Sequence, residues 1–239
     1  SKPEFLVKIT ILLPTRRACR SLSIAFLRLT GGKPMLLPKM VPLGDIDEDE
    51  LALSGTNKLA GQASFEISPA IPHLHRQLLL TRLIMARKDS DITTDQAARL
   101  AQELAHLLDQ VQTEQLSFDK LNMLVEDEML SKHWQKTLEF LSILSQYWPT
   151  ILAEQGVLDP AERRNLLLDA QTKLWHQSPP SDPIIAAGST GSIPATANLL
   201  KTISQMANGL VILPGLDKDA DESVWQALEP SHPQYGLAH

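Results

Sequence analysis

Arg16, Arg17 and Arg20 stand directly behind an apolar run that Pro14-Thr15 closes. In parallel α/β sheets, ligands bind beyond the carboxyl ends of the strands. A helix opening there offers free backbone N–H groups and a partial positive charge, which suits phosphate. Thr15, Arg16, Arg17 and Arg20 are therefore candidate phosphate or nucleic-acid contacts. The competing reading is a solvated helix start. A second candidate is Gly188-Ser189-Thr190-Gly191-Ser192, between an apolar run and a segment opened by Pro194. It has the placement of an anion-binding loop. It lacks the lysine that a P-loop needs after its second glycine, and its serine spacing fails the nucleophile elbow G-x-S-x-G. A plain tight turn is the commoner use of such a sequence.

Other residue groups offer less. Asp45, Asp47, Glu48, Asp49 and Glu50 are clustered, but lack the glycine and closing glutamate of a calcium loop, so they read as a solvated acidic loop. His73 and His75, two apart, fall on different helix faces with no third ligand nearby, so no metal site is expected. Cys19 has arginines on both sides, which would favour its thiolate. No histidine is placed to act with it, and it reads as structural. Trp134, Tyr147 and Trp148 have helical spacing and read as core rather than a base-stacking platform. No nucleophile, general base or metal ligand set assembles, so no catalytic residue and no cofactor are expected in this chain.

The elements that would position these groups follow from periodicity. Phe5 to Pro14 reads as a buried parallel strand. Arg16 to Leu29 reads as a helix capped by Thr15 and ended by Gly31-Gly32. Met35 to Leu43 reads as an edge strand, because Pro38 and Pro42 interrupt it. From about residue 71 to 176 the pattern is helical: Leu74 to Ala86, Thr93 to Glu114, Phe118 to Val125, His133 to Gln155 with a kink at Pro149, and Pro160 to His176 behind Asp159. Ser178 to Pro183 is a Ser/Pro-rich hinge. Strand and helix then alternate again: Ile184 to Ala187, Pro194 to Met206, Leu210 to Leu213 and Asp221 to Leu228. The spacing predicts an α/β core from residues 1–70 and 177–239, its flanks joined in one parallel sheet, with a helical insertion at 71–176.

Composition sets the bounds. The 239 residues are 43% hydrophobic, enough for one large domain or two small ones. The formal net charge of −6 gives no global basic field. The single cysteine excludes an internal disulfide framework and points to a reducing cytosol. No apolar run reaches the roughly 18 residues of a membrane span, and no signal peptide opens the chain. The start without methionine and the end without a helix-closing signal suggest a piece of a longer protein.

Five blocks resemble the N-terminal region of AddB subunits of bacterial AddAB-type helicase–nucleases. They are Ile11 to Leu22, Pro42 to Asp49, Ala186 to Ala197, Val211 to Asp217 and His232 to Leu237. They occur in the family's order and cover the chain nearly end to end. The resemblance implies a superfamily 1 helicase-like fold that guides DNA at double-strand breaks beside an AddA-type partner subunit. Thr15-Arg16-Arg17 resembles the helicase motif that touches the single-strand backbone. The departures matter as much. The ATP-binding Gly-Lys-Thr loop is not in this chain. The strand where an active helicase carries its magnesium-binding acidic pair ends here in Ala186-Ala187-Gly188. The resemblance therefore implies a helicase-like scaffold without motor chemistry, with DNA and the partner subunit as ligands, in the bacterial cytoplasm and away from membranes. Two other classes stand beside it. One is an assembly scaffold with no direct DNA contact, which the acidic net charge favours. The other is an α/β enzyme using Gly188 to Ser192 to hold a phosphorylated small molecule.

Overall fold

A computed structural model describes residues 3–43, 67–86, 92–117, 141, 143–215, 219 and 221–228. The chain divides into two compact units, Ser1–Glu66 with Leu167–His239, and Ile67–Leu166.

The first unit is built on β1 (Thr10–Leu13), β2 (Lys39–Pro42), β3 (Ile184–Ala187) and β4 (Gly209–Ile212). All pairings are parallel, in the order β2-β1-β3-β4. The expected joining of the two flanks in one sheet is therefore observed. Thr10 pairs with Lys39 on one side and with Ile184 on the other. All four β1 residues are buried, as a central parallel strand requires. From β1 the chain steps one way to β2, while β3 and β4 lie on the other side. The strand order thus reverses between β1 and β3.

Helix α1 (Arg16–Leu29) starts where the sequence places it, with Thr15 at its N-cap. It ends in a Schellman motif: Gly31 N donates to Arg28 O at 3.1 Å and Gly32 N to Leu27 O at 2.9 Å. Leu12, Ile184 and Ala186 form one core face with Leu168, Trp175, Ala195, Leu199 and Ile203. Each fully buried aliphatic side chain there contributes about 1.5–3 kcal/mol. Alternate strand residues face the other side. There α1 packs on β1 and β2, and Ser23 Oγ lies 3.5 Å from Met40 Sδ.

The N-terminal strand is shorter than expected. Pro3–Lys8 forms a 3-10 helix, and pairing begins only at Thr10. Neighbouring strands of four residues give Phe5 to Lys8 nothing to pair with. Phe5 and Val7 stay 66% and 49% exposed, so this apolar stretch is not buried.

The second unit is helical in its described parts. It contains α2 (His73–Met85), α3 (Thr94–Thr113), a π-helical turn (Ile143–Tyr147) and α4 (Trp148–Gln155). Thr93 and Gln96 cap α3 reciprocally, at 3.4 and 3.1 Å. Pro149 sits in the first turn of α4, directly after the π turn, so its missing N–H breaks no helical bond. The core is Leu80, Ile84, Ala97, Ala101, Leu104, Leu108, Leu144, Trp148 and their neighbours.

Helix α5 (Pro160–Gln177) crosses the division between the units. The division falls between Leu166 and Leu167, not at Ser178–Pro183, because Leu168 and Trp175 belong to the sheet's core. Helix α6 (Pro194–Ser204) links β3 to β4, and the short α7 (Glu222–Gln226) ends the described part. Phe118–Val125, Trp134, the cluster Asp45–Glu50 and the block His232–Leu237 lie outside the described residues. No helix among the described residues is long and apolar enough to cross a membrane.

A buried ion pair centres the polar part of the helical unit. Arg76, 3% exposed, places Nε 2.8 Å from Asp159 Oδ1 and Nη1 2.9 Å from Asp109 Oδ1. The Nε–Oδ1 contact is close enough for an ion pair, although its angle falls short of a hydrogen bond. Asp159 is fully buried and its Oδ2 accepts from Trp148 Nε1 at 2.8 Å and Gln112 Nε2 at 2.9 Å. Removing one member of such a pair strands a buried charge. Asp159→Ala is expected to cost about 3–5 kcal/mol in urea unfolding. Arg99→Ala, which breaks the exposed Arg99–Asp95 pair, should leave the midpoint close to wild type.

Burial first, and the Asp159 charge second, push the Glu162 carboxyl above its ordinary value. The folded chain then keeps this proton to higher pH than the unfolded chain. The stability linked to that bound proton is full below the unfolded value and is lost as pH rises through the folded value. Glu162→Gln is accordingly expected to raise the melting temperature at pH 7. The gain should vanish near about pH 3, where both forms are neutral. A gain that persists at low pH would contradict this cause.

Candidate nucleic-acid interface

The carboxyl ends of β1 and β3 are neighbours, because the two strands are paired and parallel. The loop after β1 holds Pro14 and Thr15; the loop after β3 runs from Gly188 to Ile193. They touch. A Cβ on Gly188 would stand 3.5 Å from Pro14 Cδ and 3.6 Å from Cγ. Both candidate motifs thus meet at the point where the strand order reverses. Open parallel sheets have their crevice at this point.

Each loop has a local cause. Thr15 has extended backbone angles, and its Oγ1 accepts from Ala18 N at 3.1 Å, satisfying one of the first-turn donors of α1. Arg16, Arg17 and Arg20 are exposed on the first turns of α1. No acidic residue occupies that first turn. Gly188, at φ +80°, donates its N–H to Ile212 O at 2.9 Å, which ties the loop to β4. Gly191, at φ +69°, lies against α6, where a Cβ would come 3.3 Å from Leu200 Cδ1. Its N–H donates to Ser189 Oγ at 3.4 Å. Helix α6 then opens with Ile193 at its N-cap and no side-chain capping bond, unlike α1.

Two helix starts and a glycine-bearing loop thus meet at this end of the sheet, and Arg16, Arg17 and Arg20 are exposed on the first turns of α1. Such a surface can hold phosphate oxygens. Its hydroxyl-bearing side chains, Thr190 and Ser192, are exposed. β3 and its loop carry no titratable side chain between Ile184 and Ile193.

The remaining candidates lie elsewhere. His73 and His75 are exposed on α2, and no metal-binding group forms among the described residues. Cys19 is half-buried on α1. Trp148 is core, while Tyr147 is 58% exposed, against the expectation that both are core. Tyr147 ends the π turn, which shifts its register away from the helical face assumed from spacing. Pro14 reads from the sequence only as the stop after a strand, and a Cβ at Gly188 would meet its ring at ordinary van der Waals distance. An X-Pro stop after a strand marks a loop, but not the loop's neighbour.

No protein-family model matches the chain, and no curated protein matches it.

Gly188→Ala places a side chain at a left-handed position while its Cβ contact remains ordinary. It is expected to cost about 1–2 kcal/mol, from the backbone alone. Gly209→Ala should cost more, since its Cβ would run into the Ile203 carbonyl at the start of β4. Urea midpoints of the two variants check the order; a reversed order contradicts it.

Proposed function

We propose that this chain is a helicase-like DNA guide of the AddB type, part of a bacterial double-strand-break repair machine. The observation that carries the reading is that the loop after β1, with Pro14 and Thr15 ahead of Arg16-Arg17, lies beside the loop that starts at Gly188, at one end of the sheet. The blocks that resemble AddB include both motifs. In this reading the helical unit corresponds to the inserted subdomain of such helicases, and an AddA-type subunit is the partner.

The chemistry is positional. Arg16 and Arg17 supply charge, the α1 and α6 starts supply dipoles, and small residues at 188–192 let a phosphate approach the backbone. Contacts of this kind hold a strand in place without reading its sequence. Ala186-Ala187-Gly188 ends β3 where magnesium would need carboxylates, so the guide works without a motor step of its own. The formal net charge of −6 favours a second reading, an assembly scaffold that leaves DNA to its partner.

Fluorescence anisotropy of a duplex with a single-stranded tail, titrated with the chain in a salt series, separates the two. The guide reading expects binding that weakens with salt and ignores ATP. In Arg16→Ala/Arg17→Ala the single-strand salt slope should fall by about one to one and a half. No binding at low salt would favour the scaffold.

A further inference from the structure

We propose that the outward face of α1 is a docking surface for an acidic amphipathic helix of a partner protein. At about 100° per residue, Arg17, Arg20, Ile24, Leu27 and Arg28 fall within about a third of the helix circumference. All five are exposed, Ile24 and Leu27 to 49% and 46%. The opposite side, with Ala18, Leu22 and Phe26, is the half-buried one. So α1 carries apolar residues on both sides. The side that should be purely polar holds two aliphatic side chains among arginines.

The charge of the face dictates the charge of its occupant. Helix α1 contains four arginines and no acidic residue, in a chain whose net charge is −6. Arg17, Arg20 and Arg28 have no ion-pair partner among the described residues. A solvated helix face usually mixes both signs, which offset one another three and four residues apart. This one does not.

The apolar pair decides between a protein and a nucleic acid. A phosphate backbone would meet the arginines but leave Ile24 and Leu27 uncovered. A helix presenting aliphatic side chains flanked by Asp or Glu would cover both sets at once. Arginine with a small apolar centre also has the composition of interface cores. The spacing Arg20, Ile24, Leu27, Arg28 is a ridge of the kind that packs against another helix. Arg28 lies about 18 Å along the axis from Arg16, too far to serve a phosphate at the helix start. The face shares Arg17 and Arg20 with the phosphate-binding reading, while Ile24, Leu27 and Arg28 lie beyond it.

The test uses a fluorescein-labelled amphipathic peptide with leucines along one face and glutamates on both flanks, titrated against the whole chain. Saturable binding is expected, weakened about tenfold by Ile24→Ser/Leu27→Ser. A peptide with serines for leucines should bind comparably weakly. Arg28→Glu, a substitution on exposed surface, gives a second variant with the same expected direction. Neither variant should change affinity for oligothymidylate. Absence of peptide binding, or equal binding of the serine peptide, would overturn the proposal. So would a parallel loss of oligothymidylate affinity in Ile24→Ser/Leu27→Ser, which would assign the face to nucleic acid.

Discussion

The pairing of Thr10–Leu12 with Ile184–Ala186 is the constraint on which the candidate site depends. The two strands come from distant parts of the chain, so nothing local holds them together. Closing such a long loop costs conformational entropy, though the cost grows only slowly with length. The return comes from burial: Leu12, Ile184 and Ala186 share one core with side chains of α5 and α6. A slip of one residue in this register would turn that set to the opposite face. It would also separate Pro14 from Gly188, and with them the two loops. The chemistry at the carboxyl end is thus a consequence of packing at the sheet's centre.

The helical unit is organised differently. Its apolar core is ordinary, but Arg76 and Asp159 are buried within a set of polar partners. Such a pair loses solvation and regains it only if the remaining donors and acceptors are met. Trp148 and Gln112 donate to Asp159 Oδ2, and the carbonyl of Ala105 accepts from Arg76 Nη2, while Arg76 Nε and Asp159 Oδ1 face each other as an ion pair. The arrangement ties α2, α3, α4 and the start of α5 to one another at fixed positions. An apolar core tolerates sliding better than a network with defined distances does.

Local features and the joining of the two flanks in one parallel sheet were legible in the sequence; strand order and side-chain partners were not. The Thr15 cap and the Gly31-Gly32 stop depend on a few adjacent residues, and each stands where the pattern puts it. The apolar stretch Phe5 to Lys8 failed as a strand because strands need neighbours, which periodicity does not report. Asp159 keeps the N-cap position, its carbonyl accepting from Arg163 N at 2.9 Å, but its carboxylate faces Arg76, Trp148 and Gln112, partners on separate helices that no local pattern reports. Both loops of the site were marked from their own composition. That they touch depends on strand order, which a single sequence does not encode in any local signal. The exposure of Ile24 and Leu27 likewise depends on which side of α1 meets the sheet, and the helix's own sequence carries no signal for that.

The proposed phosphate-binding surface joins the loops after β1 and β3. Amide chemical shifts of the isotopically labelled chain, followed during titration with oligothymidylate, test it most directly. The account predicts that amides of the α1 start and of residues 188–195 move together, with one saturation curve. Movement confined to one loop, or shifts elsewhere with both loops silent, would contradict it.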